Sequence, residues 1–162
     1  MAKIAIMGFG TVGSGVLEVC RRNAASIARR AGEPVEVKYI LDVRDFSGSP
    51  DAALFTKSID TILNDPEIKV VVETIGGTKF AYPYVRQCLE SGRSVCTSNK
   101  EMVATYGAEL LGNFQGLVKA HVLALHLRQH EVRRAVDDAA DAADMVGGQA
   151  LVCLLYTSDA AD

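Results

Sequence analysis

The sequence predicts an α/β protein built on a doubly wound parallel sheet, and three observations carry the prediction. Short β-branched runs alternate with helical periodicity along residues 3–111. The first run, KIAIM at 3–7, feeds into Gly8, Gly10 and Gly13 at G-x-G-x-x-G spacing, with helical periodicity directly after. A later run, VVVE at 70–73, is continuously apolar up to its acid, as expected of a strand covered on both faces. The strand, glycine turn and helix in that order specify the Rossmann-like form of the fold. There the first glycine permits the tight turn, the second lets the backbone approach a pyrophosphate, and the third brings helix and strand together.

The remaining elements follow in order. Val12, Val16, Leu17, Val19 and Cys20 recur at helical spacing, and the pattern runs through Ile27 to about Ala31. Gly32 stops that helix, with Arg29 and Arg30 in a last turn where positive charge suits the dipole. VEVKYIL at 35–41 alternates as a second strand, DFSGSPDA at 45–52 is loop, and residues 58–64 form a short helix broken by Asp65-Pro66. Gly76 and Gly77 close the third strand. A helix follows over 82–91, with Pro83 in its first turn and Gly92 at its end. SVCT at 94–97 is another strand and residues 99–111 another helix.

Length and charge narrow the function classes. A chain of 162 residues is about one domain, short for a dehydrogenase with separate cofactor and substrate domains. A net charge of −3 offers no electrostatic footprint for nucleic acid, and no apolar stretch is long enough to span a bilayer. With no secretion signal in the pattern, the expectation is a cytoplasmic protein. Cys20, Cys88, Cys96 and Cys153 form no C-x-x-C, so reduced, mostly buried thiols are expected, with no metal. His121, His126 and His130 lie near helical spacing without the acidic or cysteine partners a metal site needs.

Ligands of doubly wound sheets bind at the carboxyl ends of the strands, so residues 8–12, 42–45, 74–77 and 98–100 are expected at one crevice. Asp42, at the end of the second strand, suits a ribose hydroxyl of NAD. Arg44 could instead pair with the 2′-phosphate of NADP, and a solvated strand end would explain both residues. Thr74 and the Gly76-Gly77 pair allow close backbone approach to a cofactor, although a plain turn has the same composition. Lys100 stands at the start of a helix, where a cation opposes the dipole, and makes more sense facing a ligand oxygen or moving a proton. Glu101 beside it reads as a first-turn helix acid.

Four phrases occur in order: GFGTVGSGV at 8–16, YILDVRDF at 39–46, VVVETIGG at 70–77 and TSNKEMVATYGAELL at 97–111. Together they resemble the N-terminal half of homoserine dehydrogenase, the last phrase being far more specific than the glycine motif. The resemblance covers about residues 2–111. It implies an NADP- or NAD-dependent oxidoreductase interconverting L-homoserine and L-aspartate 4-semialdehyde, on the route to threonine and methionine. It also implies that the complete enzyme is a homo-oligomer. Carried over by position, Phe9, Gly10, Thr11 and Val12, flanked by Gly8 and Gly13, would meet the pyrophosphate, with Arg44 beside the adenosine ribose. Thr74 would lie near the nicotinamide, and Lys100 at the junction of cofactor and substrate.

The resemblance stops near Leu111. Residues 112–152 match nothing in that pattern and read as a frameshifted, helical or disordered tail, with 135–144 drawable as a helix. The last ten, CLLYTSDAAD at 153–162, resemble a translated sequencing-library adapter and are set outside the fold. The substrate domain is therefore expected to be missing, leaving residues 1–111 as the cofactor-binding domain, inactive alone. Two other readings stay open: another Rossmann dehydrogenase or reductase of a small carbonyl compound, and a non-enzymatic nucleotide sensor.

Overall fold

A computed structural model describes residues 1–112, 121–126 and 151–156. The strands are β1 (Ala2–Met7), β2 (Val35–Leu41), β3 (Phe55–Thr56), β4 (Ile68–Glu73), β5 (Ser94–Thr97), β6 (His121–His126) and β7 (Leu151–Tyr156). They form one sheet in the order β3-β2-β1-β4-β5-β7-β6, with every neighbouring pair parallel. The helices are α1 (Thr11–Arg22), α2 (Ala24–Ala31), α3 (Ile59–Leu63), α4 (Ala81–Glu90) and α5 (Lys100–Gly112). The chain order reverses between β1 and β4, which makes their carboxyl ends the topological switch point where such sheets bind ligands.

The period-two geometry of β1 explains why its sequence is apolar throughout. Ile4 and Ile6 pack with Leu17 of α1 and with Val37 and Ile40 of β2. Ala5 and Met7 point the other way, into a larger core with Ile62, Val71, Val85, Leu89, Val95 and Met102 from the elements that follow. Ala5, Ile6 and Met7 are fully buried, so both faces of the strand are covered. No helix among the described residues is long and apolar enough to cross a membrane.

The structure departs from the sequence reading at three places. The helix expected over 11–31 divides at Asn23, whose backbone (φ −105°, ψ 16°) leaves helical geometry; asparagine is a weak former inside a helix. Its second half ends at Gly32 with φ 74°, as a left-handed cap. The loop after residue 45 tightens into a single 3-10 turn at Ala52–Leu54 and the two-residue strand β3, too short to show any period. Finally, the tail drawn as helical or disordered contributes β6 and β7. His121 and His126 thus lie on a strand, and part of the stretch set outside the fold lies on β7. The physical reason is the open edge of β5, whose unpaired backbone groups accept a parallel apolar run. His130 and the helix drawn over 135–144 fall outside the described residues.

Candidate cofactor-binding site

The glycine turn is defined by what a side chain would strike. Gly8 has φ 92°, and a Cβ there would come within 2.9 Å of the Thr74 carbonyl and the Ile75 Cα. A Cβ on Gly13 would lie 2.0 Å from the Gly8 carbonyl oxygen and 2.9 Å from Thr74 Oγ1, so only glycine lets α1 sit this close to the turn. Gly10 is different. A Cβ on it would meet nothing within 4 Å, so this residue leaves open space directly before the first amides of α1. The free amides and the helix dipole make that space suited to a phosphate, and the residues present fit a dinucleotide.

Thr74 ties the two central strands together above the switch point. Its N–H donates to the Met7 carbonyl at 2.8 Å, and its hydroxyl donates to the Gly8 carbonyl at 2.8 Å. On the other side, the Gly8 N–H donates to the Leu41 carbonyl at 2.8 Å. The turn is thereby anchored to β1, β2 and β4 at once.

Asp42 extends from the end of β2 toward the turn. One oxygen accepts from the Phe9 N–H at 2.8 Å, and both accept from the guanidinium of Arg44, at 2.9 and 2.7 Å. The Arg44 amide adds a further bond at 3.0 Å. The Arg44 guanidinium, followed by these backbone amides, holds the Asp42 carboxyl well below the usual carboxylate range, against the opposing effect of burial. Arg44 also lies 5.1 Å over the Phe46 ring, and Phe46 stacks on Phe55 beneath an edge contact from Phe9.

A cleft of about 470 Å³ opens here, lined by Gly8, Phe9, Gly10, Leu41, Asp42, Val43, Arg44, Lys57, Thr74, Ile75, Phe80 and Tyr84. Of the residues singled out in the sequence, it brings together Gly8, Phe9, Gly10, Asp42, Arg44 and Thr74. Thr11, Val12 and Gly13 form the start of α1 behind it, and Val12 is exposed. Lys100 is the exposed first residue of α5, beyond the cleft's lining on the β5 side. Lys57, Phe80 and Tyr84 escaped the sequence reading because nothing in their spacing marks them as crevice residues. Cys88 is buried, which pushes its thiol up to about 12, and Cys20 and Cys96 are half-buried.

Beyond the cleft, the ends of β4 and β5 carry a buried polar group that the sequence reading also passed over. Glu73 is fully buried; it accepts from the Ile75 N–H at 2.7 Å and from the Thr97 hydroxyl. The only sequence signal was an acid ending an otherwise apolar strand. Asn99 precedes α5 and caps it, its Oδ1 accepting from the Met102 N–H at 3.0 Å.

The comparisons with known proteins agree with this geometry. The family model for the NAD-binding domain of homoserine dehydrogenase matches residues 8–123. The homoserine dehydrogenase of Pseudomonas aeruginosa is 42% identical over 113 residues, covering 67% of this chain and 25% of that protein. That of Bacillus subtilis is 34% identical over 113 residues, covering 67% and 26%. A homoserine dehydrogenase structure from Thiobacillus denitrificans superposes with TM-score 0.62 at 40% identity, covering 68% of this chain and 26% of that one. A hyperthermophilic archaeal homoserine dehydrogenase in complex with NADPH gives TM-score 0.55 at 25% identity, covering 68% and 40%. The chain spans about a quarter of the length of the curated relatives it matches. With its glycine turn, switch-point cleft and parallel sheet, the chain belongs to the homoserine dehydrogenase family, within that family's NAD-binding domain.

Proposed function

We propose that this chain is the cofactor-binding part of an oxidoreductase that interconverts L-homoserine and L-aspartate 4-semialdehyde with NADP or NAD. The observation that carries the cofactor reading is the open space at Gly10, before the free amides of α1 and between the anchored ends of β1, β2 and β4. Gly8, Phe9, Gly10, Thr11, Val12 and Gly13 hold the pyrophosphate there. Asp42 and Arg44 receive the adenosine ribose, and Thr74 and Lys100 face the nicotinamide half. When bound, the nicotinamide supplies the hydride acceptor or donor. The chain's own contribution is orientation: the glycine turn sets the depth of the cofactor, and Lys100 stands where it can hold or move the proton of a substrate hydroxyl.

The substrate assignment rests on family membership, because the relatives are about four times longer than the matched region. The 162-residue chain by itself is expected to bind cofactor without turning over homoserine. Titration of the 162-residue chain with NADH and with NADPH, followed by nicotinamide fluorescence, tests the reading. Saturable binding is expected, and Gly10→Val should abolish it with the unfolding midpoint unchanged. Absence of binding at millimolar cofactor overturns it. In a chain extended to the relatives' length, Lys100→Ala should lower kcat by about a hundredfold or more, and unchanged turnover removes Lys100 from the chemistry.

A further inference from the structure

We propose that the buried chain of hydrogen bonds through Glu73, Thr97 and Asn99 is a positioning device for the nicotinamide half of the cofactor, an inference that rests on the dinucleotide reading above. Glu73 is 0% exposed, Thr97 1% and Asn99 8%. The Thr97 hydroxyl donates to Glu73 and accepts from the Asn99 N–H at 3.0 Å. The amide side chain of Asn99 then divides its work: Nδ2 donates to the Gly77 carbonyl at 2.6 Å, and Oδ1 caps α5. With the Ile75 N–H bonded to Glu73, residues 75 and 77 of the glycine loop are both held from below.

Two features argue that this arrangement serves a ligand as well as the fold. Burying a carboxyl is costly, and the sheet alone would be served by one more valine at the end of VVVE; the acid stands at the carboxyl edge, where a ligand lies. The loop it holds is bare on its outer side. Gly76 and Gly77 have φ 80° and 66°, and a Cβ on either would meet nothing within 4 Å. A backbone surface fixed from beneath and open above suits a flat ring and its carboxamide. A dinucleotide laid across the switch point places its adenosine over β1 and β2, at Asp42, and its other half over β4 and β5. The same network sets the start of α5, and with it the backbone of Lys100. Glu73 and Asn99 are thus positioning residues acting through the loop and the helix start.

The test compares NADH with ADP-ribose, which has the adenosine half and the pyrophosphate but no nicotinamide. Glu73→Gln keeps the shape but reverses the donor to Thr97. Asn99→Ser keeps a helix-capping oxygen and removes only the donor to Gly77, so it guards against a folding failure in the first variant. Each variant of the full chain should bind NADH about tenfold more weakly, the worth of one well-made hydrogen bond. Its affinity for ADP-ribose should stay within about twofold of wild type, well inside the same scale. Equal losses for both ligands, or no loss for either, overturn the proposal. A wild-type chain that binds neither ligand overturns the dinucleotide reading and the proposal with it, whereas wild-type binding of both with unchanged variants overturns the proposal alone.

Discussion

On the β2 side of the crevice the polar groups form a charged pair whose cation, Arg44, is open to solvent; on the β4 and β5 side they form a neutral-partnered network that is buried throughout. Arg44 is 56% exposed and Asp42 7%, so their ion pair is open to solvent and salt on the guanidinium side. Glu73, Thr97 and Asn99 lie inside, each bonded to at least two partners. The exposed Arg44 guanidinium can exchange its partner for ligand contacts at little cost to the fold, whereas a buried network cannot lose a member without leaving a polar group unmatched. The difference suits the two halves of a dinucleotide. The adenosine end is gripped by side chains that can change partners, and the reactive end faces backbone that is held still.

The largest expected effect falls where the two walls meet. Gly13→Ala drives a methyl against the Gly8 carbonyl and Thr74 Oγ1 together. It should cost about 3 kcal/mol of stability in urea unfolding and abolish cofactor binding; a stable, binding variant would show that the turn can open. Next, Thr97→Val keeps the volume but strands Glu73 and the Asn99 amide. The expected loss is about 2 kcal/mol, and a neutral result would mean the buried wall has no dependence on its hydrogen bonds.

Smaller effects belong to the exposed wall. Arg44→Ala should leave the urea midpoint nearly unmoved while weakening NADPH binding more than NADH binding. An equal effect on both cofactors rejects a role for Arg44 at the 2′-phosphate. The smallest effect is the acid limb of stability. Because the folded state holds the Asp42 carboxyl below its unfolded value of about 3.9, its contribution is present above about pH 4 and lost as pH falls. The urea midpoint of Asp42→Asn should therefore decline less steeply below about pH 4 than that of wild type. Parallel curves would place the acid sensitivity elsewhere, for instance at Asp65, held down to about 2 by Lys38.

The glycine turn was legible in the sequence because its chemistry is local: spacing alone says which glycine meets the helix and which leaves room for a phosphate. The strands of β1, β2, β4 and β5 were legible for the same reason, their apolar runs being bounded by turn residues. Asp42 and Arg44 were visible as strand-end residues, although their mutual grip was not. Glu73 was hidden in plain view. An acid after three valines looks like the end of a strand, and only the arrival of Thr97 and the Ile75 amide from elsewhere shows that it is buried and bonded.

The sequence by itself determined the fold class, the site of the turn and the family, since each depends on residues within one strand-turn-helix unit or on phrases read in order. Tertiary structure alone decided the strand order, the joining of β6 and β7 to the β5 edge, and the contrast between the two crevice walls. These depend on contacts between residues far apart in the chain, such as Phe9 with Asp42, Thr74 with Gly8 and Asn99 with Gly77. Local spacing carries no information about such meetings; parallel pairing and burial create them.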